Sequence, residues 1–141
     1  NTPPATDIET MFATDIVVKL LARPSDRIQQ NADQFLIDAQ KALAGIVDVT
    51  HSNFLDLMIE MSSLGVNKGT GLAKLAASKG LKASDVAAVG DMPNDVPMIA
   101  WAGRGAAVEN AHDWVKAAAN EHVPSNDDHG VAIFIDRIIA S

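Results

Sequence analysis

Polar residues that suit a metal ion and a phosphate group cluster in the stretch Gly90-Asp91-Met92-Pro93-Asn94-Asp95. The stretch follows the short apolar run 86–89, which has the composition of a parallel strand covered on both faces. Open α/β sheets bind ligands at the carboxyl ends of their strands, where carboxylates suit Mg²⁺. Asp91 is therefore a candidate magnesium ligand, and Asn94 and Asp95 open a helix whose free N–H groups favour an anion. The alternative is that Asp91 is a turn residue and that Asn94 or Asp95 only caps the helix.

A second polar motif, Asn67-Lys68-Gly69-Thr70-Gly71, stands at the start of another predicted helix. Its lysine can bring an ammonium group close to a phosphate, and the helix start adds N–H donors. The motif is not a Walker A loop, because that loop places the lysine after a second glycine and before Ser or Thr. Taken alone, it is better explained as a solvated lysine beside a glycine-rich turn.

A third set of polar residues lies nearer the end of the chain. Asn110 follows the apolar run 106–108, and the stretch Asn126-Asp127-Asp128-His129-Gly130 precedes the last predicted helix. Residue by residue, capping and turn formation explain these side chains best.

The elements that must position these motifs fall into two lobes with different patterns. The first lobe is predicted as β-α-β-β, with strands at 15–21, 46–50 and 55–61 and a helix that begins at Pro24 and Ser25 and is stopped by Gly45. In the strand at 55–61, the apolar Ile59 and Met61 alternate with Glu60, as in a half-buried antiparallel strand.

Helices and strands alternate in the second lobe. Helices are predicted at 70–79, 95–102, 111–119 and 128–140, strands at 86–89 and 106–108, and Val123 begins a last strand. This order favours a doubly wound α/β sheet. Apolar side chains expected to face the core include Leu72, Leu75 and Ala76 on the first of these helices and Val131, Phe134, Ile135, Ile138 and Ile139 on the last. The boundary is predicted near residues 62–66, which gives a first lobe at 1–62 and a second lobe at 63–141.

Composition excludes several classes of partner and site. The 141 residues carry a formal net charge of −7, so neither nucleic acid nor an anionic membrane is an expected partner. Cysteine is absent, which excludes disulfides, thiolate metal sites and cysteine nucleophiles. The four histidines show neither metal-ligand spacing nor cysteine partners, so a metal site built on them is not expected. With no leader-like segment in view, we expect a cytoplasmic protein.

The order and spacing of the motifs carry more information than any one of them. The run from Lys68-Gly69-Thr70 through Gly90-Asp91 and Asn94-Asp95 to Asn110-Ala111 and Gly130-Val131-Ala132 resembles the Cof-like phosphatases of the haloacid dehalogenase superfamily. The resemblance covers about residues 55–141, and the stretch 15–61 looks like the distal half of the α/β cap of this group. The implied fold is the C-terminal part of a doubly wound, Rossmann-like core with half of a cap.

The resemblance also implies a function for individual residues. Lys68 would neutralise the phosphate and the nucleophilic aspartate, and Asp91 would hold Mg²⁺. Asn94 would contact the phosphate, and Asp95 would steady both the lysine and the metal shell, so that it counts with the catalytic and the metal-binding residues. Asn110 and Asn126 are carried over only as substrate-binding candidates near the site.

One part of the family pattern is missing. The family's reaction begins with an aspartate pair spaced D-x-D, whose first member attacks phosphorus and whose second acts as general acid and base. No two aspartates in this sequence are separated by one residue. We therefore expect the chain to be the C-terminal portion of an enzyme that hydrolyses a small phosphate monoester, inactive alone and completed by the missing N-terminal half or covered by self-association. A sugar-phosphate mutase of the same fold and a non-catalytic anion-binding domain remain as alternatives.

Overall fold

A computed structural model describes residues 17–24, 31–53 and 57–141. Within these ranges the strands are β1 (Leu20–Ala22), β2 (Val47–Thr50), β3 (Ile59–Ser63), β4 (Ala87–Gly90), β5 (Arg104–Val108) and β6 (Glu121–Val123). The helices are α1 (Ala32–Ala42), α2 (Lys68–Ser78), α3 (Val96–Trp101), α4 (Asp113–Ala118) and α5 (Gly130–Ile139). Short 3₁₀ turns at Ala83–Asp85, Pro93–Asp95 and Asn126–Asp128 precede β4, α3 and α5. No helix within the described ranges is long and apolar enough to cross a membrane.

An antiparallel sheet forms the first lobe. Its strand order is β1-β3-β2, so that Met61 in the central strand pairs with Leu20 on one side and with Val49 on the other. Helix α1 packs on this sheet and buries Leu36 completely against Val49 and Ile59. The predicted β-α-β-β order therefore holds in the described residues, although residues 15–16, 25–30 and 55–56 of the predicted elements lie outside them.

Helix α1 begins later than the apolar spacing predicts. Asn31 has an extended backbone, with φ −76° and ψ 135°, and its side chain accepts a hydrogen bond from the N–H of Asp33. Asparagine is among the best N-cap residues because its short side chain satisfies a free N–H of the first turn. The prediction of one continuous helix from Pro24 is therefore wrong, since α1 starts at Ala32.

The alternation of Glu60 with Ile59 and Met61 predicts that Glu60 lies on a solvated face, but the structure buries it. The residue is only 9% exposed. Its carboxylate accepts hydrogen bonds from Lys19 Nζ at 2.5 Å and from the Ser52 hydroxyl at 2.6 Å. A buried carboxylate is stable when it is paired and hydrogen-bonded in this way.

A parallel sheet forms the second lobe. Strands β4, β5 and β6 lie side by side in that order, which confirms the predicted α/β class. The central strand β5 carries Ala106 and Ala107, both without exposed surface, as expected of a strand covered on both faces. Helices α3 and α5 bury Ile99 and Phe134 in the same cluster. Arg104 and Glu121 join β5 to β6 through two hydrogen bonds of 2.6 and 3.1 Å.

The last helix exposes more of its apolar face than the spacing predicts. Of the five residues expected in the core, Phe134 is buried and Ile138 packs at the edge of the cluster. Val131, Ile135 and Ile139 are 42%, 49% and 79% exposed, and Leu75 on α2 is 55% exposed. Helical spacing identifies an apolar face, but the width of the buried stripe depends on which elements pack against it.

Candidate active site

Three of the predicted site residues meet beyond the carboxyl end of β4. Lys68 is the first residue of α2, and Asn94 and Asp95 belong to the turn between β4 and α3. The Lys68 ammonium donates to Asn94 Oδ1 at 3.2 Å and to Asp95 Oδ1. The lysine side chain is 49% exposed, whereas that of Asp95 is 6% exposed. A half-exposed cation is thus held in place by a buried carboxylate.

The start of α2 is fixed by a reciprocal cap. The Asn67 side chain accepts from the N–H of Thr70 at 3.0 Å, and the Thr70 hydroxyl accepts from the N–H of Asn67 at 3.1 Å. Gly69 then allows α2 to approach α3 closely, because an added Cβ would lie 2.5 Å from the carbonyl oxygen of Pro97. The glycine after Lys68 therefore serves helix packing, which brings the lysine to Asn94 and Asp95.

Asp95 organises the loop after β4 from within. Its Oδ2 accepts the backbone N–H groups of Asp91 and Met92, each at 3.1 Å. Gly90 makes room for it, because an added Cβ there would lie 2.6 Å from the Asp95 carboxylate. Hydrogen bonds to an ionised acceptor are stronger than those to a neutral one. Both oxygens of Asp95 are therefore already hydrogen-bonded within the chain.

Asp91 is held by its backbone and presents its carboxylate outward. Its N–H is bound to Asp95, and its carbonyl accepts the N–H of His112 at 2.8 Å. The residue is exposed, and its carboxylate takes part in no hydrogen bond or ion pair among the described residues. An unpaired carboxylate at the end of a parallel strand fits Mg²⁺, which takes one or two protein carboxylates and fills its shell with water and phosphate oxygens. No group of three acidic, histidine or cysteine side chains in the described ranges forms a complete metal site.

Asn110 and Asn126 form a separate pair. Asn110 Oδ1 accepts the backbone N–H of Asn126 at 3.1 Å, which ties the loop after β5 to the turn before α5. Both residues are exposed, and no hydrogen bond among the described residues joins them to Lys68, Asn94 or Asp95. The structure therefore brings together the two asparagines but does not connect them to the lysine.

A cavity of about 920 Å³ lies between the two lobes and reaches Lys68 and Asn94. Much of its lining is apolar, including Leu36, Leu64 and Trp114. The polar residues that the first lobe contributes include Lys19, Asp48, Glu60 and Ser62. Such a space, apolar over much of its lining and with a few polar groups, is suited to a small organic ligand.

Glu60 is a buried acidic residue of the first lobe at this cavity. Burial would raise the pKa of its carboxyl, but the hydrogen bonds from Lys19 and Ser52 and the nearby charges of Lys19 and Lys68 outweigh it, so the pKa is lowered. Sequence reasoning missed Glu60 because its partners are brought to it only by the fold.

A polar contact between the lobes was also missed. Asp33, in the first turn of α1, places Oδ1 3.0 Å from Nε2 of His112 and 3.4 Å from Nε2 of His51. His51 is 1% exposed, and burial lowers the pKa of its imidazole despite the hydrogen bond and charge of Asp33. Trp114 contacts the His112 ring edge-on, with centroids 5.1 Å apart, and packs on the core of the first lobe. Residues so far apart in the chain leave no local sequence signal of this contact.

The match to a protein family extends over almost the whole chain. Residues 4–135 match the model of the haloacid dehalogenase-like hydrolases. The chain belongs to this family. The resemblance predicted from the order of the motifs is thereby confirmed.

The curated relatives of this haloacid dehalogenase-like chain include phosphatases. The 5-amino-6-(5-phospho-D-ribitylamino)uracil phosphatase YwtE of Bacillus subtilis is 41% identical over 83 residues, which are 59% of this chain and 29% of that protein. A phosphoglycolate phosphatase of Methanothrix thermoacetophila is 37% identical over 95 residues, which are 67% of this chain and 41% of that protein. The chain thus spans less than half the length of these curated relatives.

Solved structures share the fold. SMU.1108c from Streptococcus mutans is 30% identical with a TM-score of 0.75, and the match covers 92% of this chain and 48% of that one. BT1666 from Bacteroides thetaiotaomicron, a phosphatase of the same superfamily, is 29% identical with a TM-score of 0.76, and the match covers 96% of this chain and 47% of that one. These structures confirm the Rossmann-like α/β fold predicted from the sequence.

Proposed function

We propose that this chain supplies the lysine, the metal-holding acid and half of the cap of a magnesium-dependent phosphatase. The substrate is a small phosphate monoester, such as a sugar phosphate or a related metabolite. The observation that carries the proposal is the Lys68–Asn94–Asp95 contact beside the unpaired carboxylate of Asp91. The phosphatases among its relatives support the same reaction class.

Each of these residues has a task in phosphoryl transfer. The transferred group spreads negative charge over its oxygens, so positive charge and aligned donors lower the barrier. The Lys68 ammonium offers a donor and a positive charge to a phosphate oxygen, while Asp95 and Asn94 keep it in position. Asp91 would hold Mg²⁺, which neutralises phosphate charge when it is bound.

The attacking group must come from another segment. We propose that a D-x-D pair outside these 141 residues supplies the nucleophile and the general acid, because the sequence contains no such pair. The partner is the preceding half of the same protein, or a second copy of this chain that covers its exposed apolar surface. The exposed Val131, Ile135 and Ile139 on α5 are consistent with a covering partner.

The experiment compares this chain with the product of the longest reading frame that contains it. Both are assayed in Mg²⁺ against a panel of sugar phosphates and para-nitrophenyl phosphate, and products are identified to separate hydrolysis from isomerisation. We expect hydrolysis by the longer protein, none by the 141-residue chain, and a loss of activity in the longer protein with Lys68→Gln. Matched control variants carry Lys74→Gln, on the same helix but away from the site.

Hydrolysis by the 141-residue chain alone would refute the proposed origin of the nucleophile. An active longer protein that tolerates Lys68→Gln would refute the task assigned to the lysine. Isomerisation instead of phosphate release would favour the mutase.

A further inference from the structure

The two lobes are joined by a hydrogen bond between residues 79 positions apart in the chain. Asp33 belongs to the first turn of α1 in the first lobe, and His112 directly precedes α4 in the second. Their side chains meet with 3.0 Å between Oδ1 and Nε2. The His112 side chain is 11% exposed and that of Asp33 is 36% exposed, so the contact is partly shielded from water.

The direction of this hydrogen bond follows from the other ring nitrogen. His112 caps α4, and its Nδ1 accepts the backbone N–H of Trp114 at 3.2 Å. A neutral imidazole carries its hydrogen on one nitrogen only, so an accepting Nδ1 places the hydrogen on Nε2. Nε2 of His112 therefore donates to the carboxylate of Asp33.

His112 is also bonded to the loop that presents Asp91. Its backbone N–H donates to the carbonyl of Asp91 at 2.8 Å, and the N–H of Asp91 donates to Asp95. The backbone of Asp91 is thus fixed from both sides. One side leads through Asp95 to Lys68, and the other leads through His112 to the first lobe.

We propose that Asp33 and His112 are positioning residues. Their hydrogen bond couples the position of the first lobe to the orientation of the Asp91 carboxylate. The inference rests on the proposed function for the identity of the reaction, but the bond itself does not. Removing a residue that orients a metal-binding group typically lowers metal affinity or activity about 10- to 100-fold. We expect an effect of this size on the Mg²⁺ requirement of the enzyme.

Matched variants separate the bond from other effects of the same residues. Asp33→Ala removes it together with the longer contact of Asp33 to His51, whereas Asp33→Asn keeps an acceptor oxygen in place. His112→Asn keeps the cap on α4, because asparagine is a favoured N-cap, but is too short to reach Asp33. Asp38→Ala is the control on α1, since among the described residues its carboxylate is hydrogen-bonded only to Gln34 on the same helix.

The first measurement is the Mg²⁺ concentration that gives half-maximal activity in the longer protein. We expect Asp33→Ala and His112→Asn each to raise it about 10-fold or more. We expect Asp33→Asn to keep most of the wild-type affinity for Mg²⁺, and Asp38→Ala to leave this affinity unchanged. If Asp33→Ala and His112→Asn keep the wild-type Mg²⁺ requirement in an active enzyme, the inference is overturned.

The second measurement needs no activity. In the 141-residue chain with Trp101→Phe, the remaining tryptophan, Trp114, reports urea unfolding at the contact between the lobes. We expect Asp33→Ala and His112→Asn to be non-additive, so that the double variant loses less stability than the two single losses combined.

Additive losses would overturn the inference whatever the enzyme does. If the losses are non-additive and the longer wild-type protein hydrolyses no phosphate ester, the proposed function fails and the bond between the lobes stands.

Discussion

Asp95→Asn tests whether the buried carboxylate holds the site together. The wild-type side chain serves the Lys68 ammonium with Oδ1 and two backbone N–H groups with Oδ2. An asparagine has one acceptor oxygen, so its amide N–H₂ must face either the lysine or the two N–H groups. The loss of stability is smaller when the amide N–H₂ faces the lysine, because Lys68 is half exposed and its ammonium can bind water instead.

The size of the effect follows from these contacts. The partly exposed ion pair contributes at most about 1 kcal/mol, and each N–H bond loses part of its charge-assisted strength. We expect Asp95→Asn to lower the free energy of unfolding by about 2 kcal/mol. Asp95→Ala leaves both N–H groups of the loop without an acceptor, and we expect a loss of about 3–5 kcal/mol.

Urea unfolding of the 141-residue chain, followed by circular dichroism and tryptophan fluorescence, measures these losses. With a denaturant slope of about 2 kcal/mol per molar, Asp95→Asn lowers the midpoint by about 1 M. The matched control is Asp91→Asn, whose exposed side chain has no hydrogen bond among the described residues, so the expected change is within about 0.5 kcal/mol. If Asp95→Asn unfolds at the wild-type midpoint, or Asp91→Asn is equally destabilised, the assignment of these two carboxylates is wrong.

Two further predictions concern stability. Gly69→Ala places a Cβ 2.5 Å from the Pro97 carbonyl oxygen and should cost about 1–3 kcal/mol in thermal unfolding, whereas Gly71→Ala, with nothing within 4 Å, should be neutral or stabilising. The free energy of unfolding should fall as the pH drops below 6.5. The pKa of His51 is lower in the folded chain than in the unfolded one, so the unfolded chain binds a proton there first. A second fall should follow below pH 4.5. The pKa of Glu60 is lower in the folded chain, so the unfolded chain binds a proton at this carboxylate first. Urea midpoints measured from pH 8 to about pH 3 test both, and a flat profile in the wild type contradicts them.

The sequence predicted the arrangement of the second lobe because this arrangement depends on short-range patterns. Apolar runs mark the parallel strands, and a strand end followed by a helix start fixes where Asn94 and Asp95 lie. Lys68 could be placed beside them only through the family resemblance, since α2 reaches the site by packing on α3.

Features that depend on distant partners were not predictable in this way. Glu60 is buried because Lys19 and Ser52 are brought to it, and alternation alone assigns it to solvent. The start of α1 at Ala32, after the N-cap Asn31, was missed because apolar residues recur at helical spacing on both sides of it. His112 contacts the Asp91 loop with its backbone N–H, a group that every residue except proline carries, so residue type gives no signal.

The side chain of Asp95 occupies the space that a Cβ on residue 90 would need. Gly90 is not required for an unusual backbone, since its φ lies outside the left-handed region. The two positions are therefore not free to vary independently. A larger residue at 90 becomes acceptable only when residue 95 is small, and a small residue at 95 leaves the lysine without its carboxylate. In a library that randomises both positions, selection for a folded chain alone should recover some pairs without the acid, while selection for activity should return glycine and aspartate together.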